Sequence, residues 1–107
     1  MKMIIAILNA DDAPIVTHSL MKGGYSITKL ATTGGFLRAG NVTILVGVDD
    51  DKVQSAIDII KENSHSRKQM IAPSVEPGLN FYPTMPVEVI VGGATIFVLN
   101  VEHFEKV

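Results

Sequence analysis

The chain has 107 residues, of which 47% are hydrophobic and 19% are charged, and its formal net charge is −2. This length fits one domain with a core of its own, and the mildly acidic balance argues against broad electrostatic binding of a nucleic-acid polymer. The chain contains no cysteine, which excludes disulfides, thiolate nucleophiles and cysteine-based zinc sites.

The first predicted strand is the apolar run from Met3 to Leu8. This run is too short for the hydrophobic region of a signal peptide. No segment of the chain has the roughly 20 apolar residues that a membrane span needs. We therefore expect a soluble, cytoplasmic protein that does not enter a membrane.

A helix is predicted next, and residue types mark both of its ends. Asp11 and Asp12 are candidate acidic caps, and Pro14 follows in the first turn, where its missing N–H costs nothing. Gly23 and Gly24 end the helix, because glycine readily takes the left-handed conformation that follows a helix. Its apolar stripe consists of Ala13, Val16 and Leu20.

Two strands follow, joined by a short glycine-marked loop. Tyr25 to Thr32 is rich in aromatic and β-branched residues, which favour a strand. Val42 to Val48 alternates, with its even-numbered residues on one face and Thr43, Leu45 and Gly47 on the other. The connecting loop is residues 33–41.

Asp49 to Asp51 open a second predicted helix, because acidic residues cap a helix start and face the positive end of its dipole. The three carboxylates could instead hold Mg²⁺ or Ca²⁺. Capping explains them more simply, so we predict no metal site. The apolar stripe of this helix consists of Val53, Ala56, Ile57 and Ile60, and the helix closes at Asn63 and Ser64.

A long loop, a last strand and a tail complete the chain. The predicted loop is residues 64–86, which contain four prolines, and loops of this length are usually functional or mobile. Val87 to Leu99 predicts the last strand, in which Gly92 and Gly93 indicate a bulge or a bend. The tail after it is polar, with Phe104 as a candidate anchor.

The order of elements is therefore β-α-β-β-α-β, which predicts one α+β domain over residues 1–107 with a ferredoxin-like fold. Both helices should cover one face of an antiparallel sheet. The second and third strands carry apolar residues on both faces, so an oligomer that buries the open face would explain the pattern.

The loop around Gly34 and Gly35 is the first candidate site. These glycines let backbone N–H groups approach a phosphate, and Phe36 and Leu37 could contact a base or a neighbouring subunit. The alternative is an ordinary connection whose apolar side chains fold into the core. The segment is neither a P-loop nor a dinucleotide-binding GxGxxG motif.

The sequence offers little that points to catalysis. It contains no nucleophile motif and no acid–base pair at a supporting spacing, so we predict a protein that is not an enzyme and needs no cofactor. His65, Arg67 and Lys68 could meet an anion, although a solvated polar turn is the simpler interpretation.

The run TKLATTGGFLRAGN at residues 28–41 carries a family resemblance, together with Gly47, Pro86 to Val89 and the segment VGGAT at residues 91–95. In these residues the chain resembles the PII-like PstA-type receptors for cyclic di-AMP, also called DarA or YaaQ-like proteins. The resemblance covers nearly the whole chain. It implies a ferredoxin-like homotrimer that binds cyclic di-AMP in clefts between subunits and signals to a downstream protein.

The resemblance also implies which residues contact the ligand. Where these receptors usually carry asparagine and arginine ahead of the threonine, this chain has Gly24 and Ser26, and it has Lys106 where they carry glutamine. The alternative hypothesis is therefore a diverged PII-like interaction module that has lost cyclic di-AMP and binds another anion or a protein. The implied ligand contacts are Thr28, Gly35, Phe36, Leu37, Asn41, Gly47 and Phe97.

Overall fold

The structure is a computed structural model that describes residues 1–30, 40–71 and 87–107. The described part contains two α-helices, a short 3-10 helix and six strands. In chain order these elements are β1 (Lys2–Asn9), α1 (Ala13–Lys22), β2 (Ile27–Leu30), β3 (Asn41–Val48), the 3-10 helix (Asp50–Lys52), α2 (Val53–Ser64), β4 (Arg67–Ile71), β5 (Val87–Val91) and β6 (Ala94–Asn100).

Four of the strands form one antiparallel sheet in the order β2-β3-β1-β6. Lys2 pairs with Val48 on one side and with Asn100 on the other, so the first and last strands lie side by side. Along the chain, α1 and α2 lie between strands of this sheet. The structure therefore confirms the predicted ferredoxin-like α+β fold. A two-stranded β4-β5 hairpin is added to it.

The core lies between the two helices and one face of the four-stranded sheet. This face carries the even-numbered residues of β1 and β3, and those of β3 share one face as the alternation predicted. Both helices contribute their apolar stripes to the same cluster. The buried hydrophobic residues are Ile4, Ala6, Leu8, Ala13, Val16, Leu20, Ile44, Val46, Val48, Ala56 and Ile60.

The start of α1 differs from the expected acidic cap. Asp12 occupies the N-cap position and Pro14 lies in the first turn, but the Asp12 carboxylate makes no cap hydrogen bond within the described residues. Asp12 is 4% exposed, and its carboxylate accepts a hydrogen bond of 2.8 Å from Arg67. A buried carboxylate is most stable beside an opposite charge, and this guanidinium lies 55 residues further along the chain.

The end of α1 explains why β2 begins later than expected. Gly24 has a φ of +90°, the left-handed conformation that was predicted after the helix. The backbone N–H of Tyr25 then donates to Leu20 O at 3.0 Å. Because this N–H completes the helix end, the strand predicted from Tyr25 begins only at Ile27.

Acidic residues precede α2, as expected, but they do not act as the predicted side-chain caps. The 3-10 helix precedes α2, and Asp49 at its N-cap makes no side-chain cap hydrogen bond within the described residues. The N-terminal ammonium donates to Asp50 at 2.9 Å and holds the pKa of that carboxyl below its ordinary value.

The predicted loop over residues 64–86 was wrong for its first part, because β4 lies there and pairs with β5. The last strand, predicted as one element with a bulge or bend at Gly92 and Gly93, is two strands, and the bend itself is confirmed. Gly92 and Gly93 have φ values of +78° and +91°, and this bend sends β5 to the hairpin and β6 to the four-stranded sheet. The part of the predicted loop over residues 72–86 lies outside the described residues.

The base of the hairpin is built around the Asp12–Arg67 pair. Hydrogen bonding to Asp12, with the charge of Asp12 adding to it, raises the pKa of Arg67 above its ordinary value. A Cβ at Gly92 would meet the Arg67 guanidinium and would lie 2.9 Å from the His65 carbonyl oxygen. Two of the residues considered for an external anion, Arg67 and Lys68, therefore pair with carboxylates of the chain itself, Asp12 and Glu88.

Candidate ligand-binding site

The face of the sheet that the helices leave open carries most of the described candidate residues. In the register, Thr28 lies opposite Leu45, Leu45 lies opposite Ile5, and Ile5 lies opposite Phe97. Directly paired residues of antiparallel strands share a face, so Thr28 and Phe97 lie at the two ends of one row across the sheet. Three strand spacings separate them by about 14 Å.

The open face, defined by the odd-numbered residues of β1, β3 and β6, carries six apolar side chains: Met3, Ile5, Ile7, Leu45, Phe97 and Leu99. Phe97 and Leu99 are 50% and 48% exposed, and the odd-numbered residues of β1 are only half-buried. Contiguous exposed apolar surface on a small protein marks a site of interaction. The open apolar face predicted from the sequence is therefore present.

A pocket of about 330 Å³ lies at one end of the open face, and we call it the Thr28–Gly47 pocket. Gly47 has no side chain, and a Cβ there would lie 3.1 Å from Met1 Cε. The glycine therefore keeps this end of the face open. The lining residues are Met1, Met3, Ser26, Thr28, Leu45, Gly47, Val101 and Phe104.

A second pocket of about 180 Å³ adjoins the first and shares Met1, Ser26 and Gly47 with it. It lies between the end of α1 and the start of the 3-10 helix. Its walls include Gly24, and its charged residues are Lys52 and Asp49. One cationic and one anionic side chain thus face a space that joins the Thr28–Gly47 pocket.

Asn41 lies at the other end of the sheet. It begins β3 opposite Asn9 and lines a cleft of about 280 Å³ together with Gly92 and Gly93. Six residues along a strand place it about 20 Å from Gly47. Within one subunit the structure thus brings Thr28 and Gly47 together, and places Asn41 and Phe97 elsewhere.

Three of the implied contacts, Gly35, Phe36 and Leu37, lie outside the described residues. Sequence reasoning missed that Met1, Val101 and Phe104 reach the Thr28–Gly47 pocket. The exposed aromatic residue in a polar tail was a signal for Phe104, but nothing local showed which strands the tail approaches.

Over the described ranges 1–30, 40–71 and 87–107, no group of three histidine or acidic side chains is placed to hold a metal ion. In the same ranges no helix has the length and apolar character needed to cross a membrane.

A ferredoxin-like sheet with an open apolar face and a pocket at one end suits a small ligand-binding protein. The family described as cyclic-di-AMP receptor matches the sequence over residues 1–107. The chain belongs to this cyclic-di-AMP receptor family, which confirms the resemblance noted in the sequence.

A solved structure of a functionally unknown protein from Pediococcus pentosaceus ATCC 25745 is similar to this chain. The two are 37% identical in sequence and superpose with a TM-score of 0.80, over 99% of this chain and 96% of the other. The fold described above is therefore shared along nearly the full length of both proteins.

Proposed function

We propose that this protein is a cytoplasmic signalling receptor that binds cyclic di-AMP between the subunits of a homotrimer. The observation that carries the proposal is the Thr28–Gly47 pocket, in a chain that belongs to the cyclic-di-AMP receptor family. Its volume of about 330 Å³ is at the lower end of ligand pockets, about 300–1,000 Å³. A dinucleotide with two purine bases therefore needs further surface beyond this pocket.

A neighbouring subunit supplies that surface in the proposed trimer. Thr28 and Phe97 lie on one face but at opposite edges of the sheet, so each edge can face a neighbouring copy. When copies pack around a threefold axis, the Phe97 edge of one copy can approach the Thr28 edge of the next. Covering the exposed Phe97 and Leu99 would also stabilise the assembly through the hydrophobic effect.

Residues 1–107 form a single domain in this proposal. The pairing of Lys2 with Asn100 supports it, because the strands nearest the two ends of the chain complete one sheet. The bound ligand changes how the receptor contacts a downstream protein.

The receptor acts by binding, without chemistry, metal or cofactor. The family is a receptor family, which supports a binding role. Prolonged incubation of cyclic di-AMP with the protein and Mg²⁺ should leave the ligand intact by chromatography. Steady hydrolysis that is lost in a ligand-pocket variant would show an enzyme instead.

The second candidate is a trimeric module that binds another anion or a protein. Gly24 and Ser26 favour it, because these short residues bring no charge to the pockets that they line. A charge-assisted hydrogen bond contributes about 1.5–3 kcal/mol. If the wild type fails to bind cyclic di-AMP and Ser26→Arg restores binding, the second candidate is supported.

Titration calorimetry with cyclic di-AMP, combined with the mass of the assembly from light scattering, tests the main proposal. Saturable binding by a trimer supports it, and binding by a monomer would contradict the shared site. The cytoplasmic location is tested separately by fractionating cells that produce the protein.

A further inference from the structure

Phe104 reaches the Thr28–Gly47 pocket by crossing the end of the sheet. The backbone N–H of Val101 donates to Met1 O at 3.2 Å, which extends the pairing of β6 with β1 by one step. β6 is one edge of the sheet and β2 is the other. Because Phe104 and Thr28 line the same pocket, the tail passes from the β6 edge across the open face toward β2.

The Phe104 ring is an exposed wall of this pocket. It is 62% exposed, so it does not serve as a core anchor for the tail. Leu45 and the two hydroxyl-bearing residues Ser26 and Thr28 also line this pocket. A flat aromatic wall next to hydroxyl groups suits a planar heterocycle, which offers a π face for stacking and edge atoms for hydrogen bonds.

We propose that Phe104 is a ligand-contacting residue and that an adenine base of cyclic di-AMP stacks on its ring. The inference rests on the proposed function and adds one specific contact to it. Adenine is favoured as the occupant because the chain belongs to a cyclic-di-AMP receptor family and the pocket contains two of the implied contacts, Thr28 and Gly47.

The test compares two substitutions of the same ring. Phe104→Leu keeps an apolar side chain and removes the aromatic face, whereas Phe104→Tyr keeps the face. Stacking of a base on an aromatic side chain is worth about 1–3 kcal/mol, so Phe104→Leu should raise the Kd for cyclic di-AMP by about 5- to 150-fold. Phe104→Tyr should retain binding close to that of the wild type.

The matched control is His103→Ala in the same tail. His103 pairs with Glu105 at 2.8 Å on the surface and is not one of the residues that line the pocket. This variant should bind as the wild type does. A fall in affinity equal to that of Phe104→Leu would mean that any change in the tail weakens binding, and it would overturn the proposed stacking.

Proton NMR of the bound ligand detects direct stacking. The chemical shifts of the adenine protons would not depend on residue 104 if Phe104 acted only on the structure of the tail. A base on the Phe104 ring shows upfield-shifted adenine protons with the wild type and with Phe104→Tyr, and smaller shifts with Phe104→Leu. Light scattering of each variant shows whether the assembly is intact.

The outcomes separate the two proposals. If the wild type binds cyclic di-AMP and Phe104→Leu binds equally well, the stacking is refuted while the receptor function stands. Loss of the oligomer in Phe104→Leu would also refute it, because the ring would then belong to the subunit contact. A wild type that does not bind cyclic di-AMP refutes both.

Discussion

Substitution of Gly47 should separate ligand binding from folding. Gly47 lies within β3, is exposed, and has no positive φ, so alanine fits its backbone conformation. The added Cβ would approach Met1 Cε at 3.1 Å, and that atom is the end of a flexible side chain that can move. Alanine in a strand is favoured over glycine by about 0.5–1 kcal/mol. The free energy of unfolding should therefore stay the same or rise by up to about 1 kcal/mol.

Gly47→Ala should weaken the binding of cyclic di-AMP even though it does not destabilise the fold. The new methyl group projects into the Thr28–Gly47 pocket, whose volume is about 330 Å³. Overfilling a packed site costs about 1–3 kcal/mol, which corresponds to about a 5- to 150-fold rise in Kd. Gly47→Val adds two more methyl groups and should weaken binding further.

Thermal unfolding without ligand and calorimetric titration with cyclic di-AMP measure the two effects on the same samples. A Gly47→Ala protein that folds normally and binds with the wild-type Kd would refute the assignment of this pocket to the ligand. A loss of binding together with a large loss of stability would refute the argument that alanine is tolerated at this position.

Three further substitutions test the packing and the open face. Gly92→Ala should destabilise the protein more than Gly93→Ala in denaturant unfolding. Both residues have positive φ, which costs alanine about 1–2 kcal/mol. Of the two, Gly92 alone has the His65 carbonyl oxygen within 2.9 Å of a new Cβ. Equal losses in the free energy of unfolding would contradict the account of the hairpin base. Ile60→Ala should lower the free energy of unfolding by about 2–5 kcal/mol, because Ile60 is fully buried. Ile15 lies on the exposed side of α1, and a similar loss from Ile15→Ala would contradict the assigned core. Leu99→Lys should leave the chain folded by circular dichroism and convert the proposed trimer to smaller species in light scattering. An unchanged mass would argue against the open face as the contact between copies.

Local patterns predicted the parts of the fold that depend on near neighbours in sequence. The alternation in β3 predicted its buried face, because side chains of a strand point to opposite sides in turn. Gly24 was predicted to end α1, because a positive φ is inexpensive for glycine.

Contacts between distant parts of the chain could not be predicted in the same way. β4 was missed because Arg67 to Ile71 is mostly polar and its partner strand begins only at Val87. Asp12 resembled a helix cap, yet its carboxylate is held by Arg67, and no local pattern reports that pairing.

In the candidate site, too, the sequence located some residues but not the contacts between distant ones. The resemblance pointed to Thr28 and Gly47, which meet in one pocket. It also pointed to Asn41 and Phe97, which lie elsewhere in the subunit. In the proposed trimer their role depends on how copies pack, and the sequence of one chain does not specify that arrangement.

The most direct test of the receptor function is calorimetric titration of the purified protein with cyclic di-AMP, with cyclic di-GMP and ATP as controls. Saturable binding that is selective for cyclic di-AMP, near one ligand per subunit, is the expected result. An absence of binding at ligand concentrations that saturate a micromolar site would contradict it. The fold would then serve another anion or a protein partner.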